Sequence, residues 1–111
     1  MSTIYKPDFE NGIVLMHIYN ALRAGQSTVG LKCTAIFDLE DLDRVVQAGT
    51  WHGVRSYKFK SEYWQVRNGR GLYLTRCLLR VTSVDNVKVQ FRDKNSLNYR
   101  QNNLKIIRYN L

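Results

Sequence analysis

The side chains best suited to chemistry in this sequence are cationic, and they are concentrated in its second half. Residues 51–111 hold thirteen Lys and Arg against three Asp and Glu, a net charge of +10, whereas residues 1–50 hold four against six, a net charge of −2. Lys and Arg side chains bind phosphate oxygens, and a segment this basic attracts polyanions. The uneven charge predicts a polyanionic partner: double-stranded DNA first, with RNA or an acidic protein as alternatives.

Aromatic and basic residues are interleaved between positions 51 and 76. On paired strands, the basic members would form a ribbon along one sheet face, a shape that fits the major groove of duplex DNA. The predicted ribbon consists of Arg55, Lys58, Lys60, Arg67 and Arg70. A solvated sheet face is the alternative, with the aromatic residues in the core or in cross-strand pairs.

The other reactive residue types form no catalytic or metal-binding pattern. Cys33 and Cys77 are not spaced with His17 and His52 as zinc ligands are, so small core cysteines are predicted. Helix capping and a solvated helix face account for the acidic residues at 38–43. No Ser/His/Asp or Cys/His arrangement is visible. The sequence therefore predicts no metal, no cofactor and no small-molecule substrate.

The 111 residues fit a single domain. Residues 1–12 are predicted to be an extended lead-in. Strand-forming residues at 13–19 and 29–37 predict a hairpin with a long loop, and a helix over 13–24 is the competing interpretation.

A helix with Asp38 as its N-cap and Gly49 as its C′ residue is predicted next, with Trp51 packed beneath it. The remaining predictions are strands at 56–60, 63–67, 72–81 and 84–91, a tight turn at 68–71, a polar loop at 92–96, a short polar helix at 97–104 and a closing strand at 105–109. This succession predicts an α+β domain.

Composition also excludes several classes of protein. No run of eighteen apolar residues exists, so no transmembrane helix is predicted. The first residues lack a charged stretch followed by an apolar segment, so no secretory signal is expected. Two cysteines are too few for a disulfide framework. A cytoplasmic protein with reduced thiols is predicted.

The segment Val89–Lys105 resembles the motif of phage HNH homing endonucleases, which reads roughly V-D-H-I-N-G-N-P-L-D-N-R-R-S-N-L-R. Without a gap, the matching residues are Val89, Asn95, Leu97, Arg100, Asn103 and Leu104. Leu74-Thr75-Arg76 resembles the family's L-H-R, on the strand of its ββα-metal hairpin. Ile36 to Leu42, followed by Trp51, resembles an opening segment of phage HNH proteins. The resemblance covers about residues 30–108 and implies a small N-terminal sheet with one helix, followed by a degenerate ββα unit.

The departures from the motif fall on the residues that carry the family's chemistry. The degenerate positions are Thr75, Gln90, Phe91 and Tyr99, and only Asn103 is kept. An HNH nuclease needs a histidine to deprotonate water and oxygen ligands to hold a divalent ion. Phe91 does neither, and Gln90 is a poor replacement for a carboxylate. The resemblance therefore implies a fold that is kept and an active site that is lost.

Three functions follow, in order of preference. The first is a phage-encoded, catalytically inactive DNA-binding protein. The second is a phage anti-defence inhibitor, for example an anti-CRISPR protein, that binds a host protein or its nucleic-acid groove. The third is a residual metal-dependent nuclease. For the first function, the candidate phosphate contacts are the ribbon residues and Arg76. The resemblance adds four more: Arg92, Lys94, Arg100 and Lys105.

Overall fold

A computed structural model describes residues 3–19, 30–58, 61–81 and 87–108 of the chain. Within these residues the elements are β1 (Thr3–Asp8), β2 (Ile13–Tyr19), β3 (Leu31–Asp38), α1 (Leu42–Gln47), β4 (Trp51–Lys58), β5 (Ser61–Asn68), α2 (Leu74–Leu79), β6 (Val87–Phe91) and β7 (Leu104–Arg108). Single 3-10 turns precede α1 and β7, at Leu39–Asp41 and Gln101–Asn103. The protein is an α+β protein, as predicted. The ββα unit expected in its second half is not found in the described residues, where α2 precedes the pair β6 and β7 and no α-helix follows them.

The first three strands form an antiparallel sheet in the order β1-β2-β3. Side chains alternate along β2, where Val14, Met16 and Ile18 are fully buried, and this alternation is why the segment is a strand. The predicted hairpin is therefore confirmed, and the competing helix is wrong for residues 13–19; the loop at 20–29 lies outside the described residues. The predicted lead-in is extended over residues 3–8 but is a full strand, paired along its length with β2.

The predicted helix after Asp38 is present but shorter, because its first turn is a 3-10 turn and α1 covers only residues 42–47. Asp38 makes no capping hydrogen bond, so this part of the prediction is wrong. Gly49 follows with a φ of +108°, the left-handed conformation expected of a C′ glycine. Trp51 is fully buried, and its Nε1 donates to the carbonyl of Val45 at 2.9 Å. The prediction that Trp51 packs beneath the helix is confirmed.

The predicted strand over 72–81 is wrong, because residues 74–79 form helix α2. Leu74, Cys77 and Leu78 are all buried, and their spacing is that of one helix face. The turn before the helix is organised by Asn68, whose Oδ1 accepts from the backbone N–H groups of Arg70 at 3.0 Å and Leu72 at 2.9 Å. This turn leads the chain from β5 into a helix rather than into a third strand. The two preceding predicted strands belong to the hairpin β4–β5, whose turn at 59–60 lies outside the described residues.

The predicted helix over 97–104 is also wrong. Residues 97–99 run parallel to β3 instead: the N–H of Ile36 donates to the carbonyl of Leu97 at 2.9 Å, and the N–H of Tyr99 donates to the carbonyl of Ile36 at 2.7 Å. Only one 3-10 turn follows, at Gln101–Asn103. The polar loop after β6 and the closing strand, found as β7, are confirmed, although 84–86 and 109 lie outside the described residues.

The core lies between the inner face of the N-terminal sheet, the two helices and the hairpin β4–β5. The hairpin approaches the sheet closely at Gly53, where an added Cβ would lie 2.7 Å from the Sγ of Cys33. Cys33 and Cys77 are free and buried, which confirms the prediction of core cysteines, and burial raises the pKa of both thiols. Among the described residues, no helix is long and apolar enough to cross a membrane.

Candidate nucleic-acid interface

A groove of about 1100 Å³ separates the hairpin β4–β5 from the pair β6–β7. One wall is the edge of β5 that is not paired with β4, together with the start of α2; the other is β6, the loop after it and the start of β7. The groove is open to solvent and is lined by both polar and apolar residues. It has the size of a ligand-binding cleft.

The floor of the groove is formed by Ser96, the last residue of the polar loop, and by Tyr99. Ser96 accepts a hydrogen bond at its Oγ from the N–H of Trp64 at 2.8 Å, which satisfies the edge of β5. Tyr99 is only 2% exposed and packs edge-to-face against Phe91, with ring centroids 5.3 Å apart. Its hydroxyl also has a hydrogen bond with the backbone of Val66, and burial strongly raises its pKa. The two walls are therefore joined by a rigid polar and aromatic floor.

The cationic side chains of the groove are Arg76, Lys88, Arg92, Lys94 and Lys105. All but the half-buried Arg76 are exposed. None of the described residues that line the groove is acidic. Five positive charges along one cleft with no carboxylate in its described lining produce a positive potential that a low-dielectric wall concentrates. The groove is suited to a polyanion.

Asp93 lies between Arg92 and Lys94 in the sequence but does not line the groove. Its carboxylate accepts hydrogen bonds from within the loop. Its Oδ1 accepts from the backbone N–H of Asn95 at 2.8 Å and from Nδ2 of Asn103 at 2.9 Å, and its Oδ2 accepts from Nδ2 of Asn98 at 2.9 Å. These hydrogen bonds hold the pKa of Asp93 below its usual value, with the bond from Asn98 contributing most. The loop that carries Arg92 and Lys94 is thereby fixed.

The structure brings four of the predicted phosphate contacts to this groove: Arg76, Arg92, Lys94 and Lys105. Sequence reasoning missed Lys88 as a contact, although the alternation of β6 already indicates it. Lys88 and Gln90 are exposed, whereas Val87 is buried and Val89 is half-buried. Lys105 is paired directly with Gln90 across the two strands, so their side chains share one face.

The described members of the predicted ribbon do not share one face of β4–β5. Arg55 is paired with Trp64, and its guanidinium lies 5.1 Å from the centre of that ring. Arg67 follows Trp64 on β5 at an odd spacing, so pleating places Arg67 on the opposite face. Arg70 is exposed in the turn after β5. The side chain of Lys58 and all of Lys60 lie outside the described residues.

Arg100 is outside the groove and has a different partner from the one predicted. Its Nε donates to Oδ1 of Asp38 at 2.9 Å, and the backbone N–H of Gln101 donates to Oδ2 of the same carboxylate at 2.8 Å. Asp38 thus joins the end of β3 to the turn before β7. This contact explains why Asp38 does not cap the helix that follows it.

Four positions at which the sequence departs from the HNH motif line the groove together: Thr75, Gln90, Phe91 and Tyr99. Thr75 lies on helix α2, so the prediction that Leu74-Thr75-Arg76 forms a strand is wrong. Asn103 does not line the groove; its Nδ2 donates hydrogen bonds to Oδ1 of Asp93 and to the carbonyl of Asn98. Neither histidine lines the groove: His17 contacts Thr34 at 2.7 Å in the N-terminal sheet, and His52 is exposed on β4.

The acidic residues Asp38, Glu40 and Asp41 have carboxylate oxygens within 4.8 Å of one another. Two of the three carboxylates already have protein partners. Asp38 binds the backbone and side chain described above, and buried Asp41 accepts from Arg44 Nη1 and from Gln101 Nε2, each at 3.2 Å. These contacts account for the cluster as a structural link between β3, α1 and the turn before β7.

No family model, no curated protein sequence and no solved structure matches this chain. The groove and its charges therefore provide the basis for a functional proposal.

Proposed function

We propose that this protein is a catalytically inactive nucleic-acid-binding protein, and that it holds a phosphodiester backbone in the groove between β5 and β6. The observation that carries the proposal is the groove's lining of five cationic side chains with no acidic residue among the described lining residues. Lys and Arg contacts to phosphates supply most of the affinity of such proteins without fixing a sequence. DNA binding through a basic face is the function that this lining supports best.

The proposal includes the resemblance to phage HNH proteins, and two placements support it. Four positions that differ from the motif converge on one groove, as residues of a former active site would. In addition, the motif has glycine where this chain has Lys94, and Lys94 has a φ of +64°. That left-handed conformation is one that glycine adopts readily and other residues adopt at a cost.

We propose that the protein does not cleave nucleic acid, because the groove's described side chains are poorly suited to accept a proton from water or to bind a divalent ion. Phe91 has no group that accepts a proton, and its ring is packed against Tyr99. Gln90 is neutral and Thr75 is a weak ligand for a divalent ion. No described lining residue is a histidine or a carboxylate. General-base catalysis at this site would need a group that the described lining does not offer.

Binding is tested by fluorescence anisotropy of labelled DNA at several salt concentrations. Wild-type protein is expected to bind at low salt, with an affinity that falls steeply as salt rises. The double variant Lys88→Ala/Lys105→Ala should lower the logarithmic salt slope by about 0.9 for each phosphate that the protein no longer neutralises. The matched control is Lys6→Ala/Lys32→Ala, which removes the same charge from exposed positions on β1 and β3 and should leave the slope almost unchanged.

An equal decrease in affinity for both double variants would show that binding depends on the total charge of the protein and not on the groove. No binding at low salt would overturn the proposal and would favour the anti-defence inhibitor, to be tested by capture of one host protein. Cleavage is tested with supercoiled plasmid and Mg²⁺ or Mn²⁺. Nicking that Gln90→Ala abolishes would contradict the inactive site.

A further inference from the structure

We infer that the groove takes a single, unpaired strand of nucleic acid in preference to a duplex; this inference rests on the proposed function. The groove combines two kinds of surface that a duplex does not use together. Its cationic side chains match phosphates, and its aromatic and apolar walls match the faces of bases, which a duplex keeps stacked inside.

The aromatic side chains lie on the wall opposite the lysines. Tyr63 on β5 and Tyr73 just before α2 line the groove. Tyr73 bridges Arg67, four residues after Tyr63, so pleating places Tyr63 and Tyr73 on one face. Tyr73 is 37% exposed, one of the few large apolar side chains that the described residues leave open to solvent. An exposed ring beside a positive cleft is a stacking surface for a base, and every base has a face that stacks in this way.

The cations lie along the other wall in an order that follows one chain. Lys88 and Lys105 extend from the exposed face of β6 and β7, and Arg92 and Lys94 continue along the loop after β6. A phosphodiester backbone that runs along this wall places its bases across the groove, toward Tyr63 and Tyr73. Single-strand-binding proteins use this division between a cationic track and aromatic platforms.

The position of Lys94 supports a ligand at this rim. Lys94 is held in the left-handed conformation at a φ of +64°, where a glycine would relieve the backbone. A strained lysine whose side chain lines the groove is the pattern expected where the charge is needed for binding. The strain is maintained by the hydrogen bonds of Asp93 and by the N–H of Lys94, which donates to the carbonyl of Phe91 at 3.0 Å.

The cleft also separates the two forms of nucleic acid. A cleft of about 1100 Å³ accommodates a few nucleotides of a flexible strand. A duplex keeps its bases paired and stacked, so it presents phosphates but no base face to Tyr73.

The test uses anisotropy with a labelled 12-nucleotide DNA strand, the same sequence as a duplex, and the corresponding RNA strand, all at one salt concentration. We expect the single strands to bind at least 10-fold more tightly than the duplex, and the DNA and RNA arms decide which strand is preferred. Tyr73→Leu should weaken single-strand binding about 5- to 100-fold, as removal of one stacking platform does, with an unchanged salt slope. The matched control is Phe9→Leu, an aromatic residue that is 79% exposed in the β1–β2 turn.

Tryptophan fluorescence gives a second readout that does not depend on any folding effect of Tyr73→Leu. Tyr73→Trp keeps a stacking ring and adds a fluorophore at the groove, so a bound single strand should quench this variant more than the wild-type protein, whose Trp51 is fully buried. Equal or tighter duplex binding with a steep salt slope would overturn this inference and leave the proposed function standing. No binding of either form at low salt would overturn both. Single-strand binding that is unaffected by Tyr73→Leu and that quenches Tyr73→Trp no more than wild-type protein would also overturn the inference.

Discussion

The N-terminal sheet and the groove differ in where their strands place polar side chains. In β2, every second residue is fully buried, and the acidic Asp38 at the end of β3 is joined to a distant part of the chain by hydrogen bonds. In β6, the residues between the buried and half-buried ones are Lys88 and Gln90, which are exposed beside a cleft. Under the proposed function, the first region serves stability and the second serves recognition, so substitutions in the two should change different quantities.

The largest effect is expected for Phe37→Ala in the N-terminal sheet. Phe37 is fully buried and packs edge-to-face with Tyr5. Its truncation should lower the free energy of unfolding by about 3–5 kcal/mol, measured by urea denaturation. The control Phe9→Ala removes an exposed ring and should change stability by no more than about 0.5 kcal/mol. Similar losses of stability for both variants would contradict the buried position of Phe37.

A smaller loss is expected for Gly53→Ala, where the hairpin β4–β5 meets the N-terminal sheet. The new Cβ would lie 2.7 Å from Sγ of Cys33, which is closer than van der Waals contact. The resulting overpacking should lower the free energy of unfolding by about 1–3 kcal/mol, measured by urea denaturation. Adding Cys33→Ala should restore part of this stability, because it removes the sulfur atom that the methyl group meets. Purely additive effects in this double-mutant cycle would show that the two residues do not contact each other.

Lys94→Gly is expected to move stability and binding in opposite directions. Glycine relieves the backbone at a φ of +64° and should raise the free energy of unfolding by up to about 1 kcal/mol. Removal of the charge should weaken nucleic-acid binding and lower the salt slope by the amount expected for one phosphate, about 0.7 for a single strand and about 0.9 for a duplex. The reference variant is Lys94→Asn, which tolerates the same conformation and also lacks the charge. Unchanged binding in both variants would remove Lys94 from the proposed contacts.

The smallest expected effect is a response of the loop after β6 to acid. The pKa of Asp93 is lowered in the folded protein from its ordinary value of 3.8. The hydrogen bonds of its carboxylate therefore stabilise the loop fully above that pH, and this contribution is lost as pH falls through the lowered pKa. The protection factors of the Asn95 and Leu97 amides against hydrogen exchange should fall there before the N-terminal sheet opens. Asp93→Asn should abolish the pH dependence of these protection factors, and a response that persists in this variant would implicate another group.

The sequence predicts best those elements whose signal is local. The alternation in β2 and the position of Trp51 after Gly49 are sufficient for the hairpin β2–β3 and the helix, but not for the pairing of β1. The strand predicted at 72–81 is wrong because Leu72, Leu74 and Leu78 fit alternation as well as a helical face, and only the packing of Leu74 and Leu78 in the core distinguishes the two.

The errors near the groove have a different cause, which is contact between distant segments. Residues 97–99 pair with Ile36, and Arg100 binds Asp38, about sixty positions away in the sequence. Neither partner is visible in a local pattern, which instead predicts a helix for this segment and a phosphate contact for Arg100. The groove itself is only partly predictable: its basic residues follow from composition, but their convergence with Tyr73 depends on the fold.

The most direct test of the account is a titration of ¹⁵N-labelled protein with the unlabelled 12-nucleotide strand, followed by the chemical shifts of backbone amides. The account predicts that the perturbed amides lie at 63–66, 73–76, 87–96 and 105, around the groove, with little change in β1 and β2. Perturbations concentrated in the N-terminal sheet, or none at concentrations where low salt favours binding, would contradict the assignment of recognition to the groove.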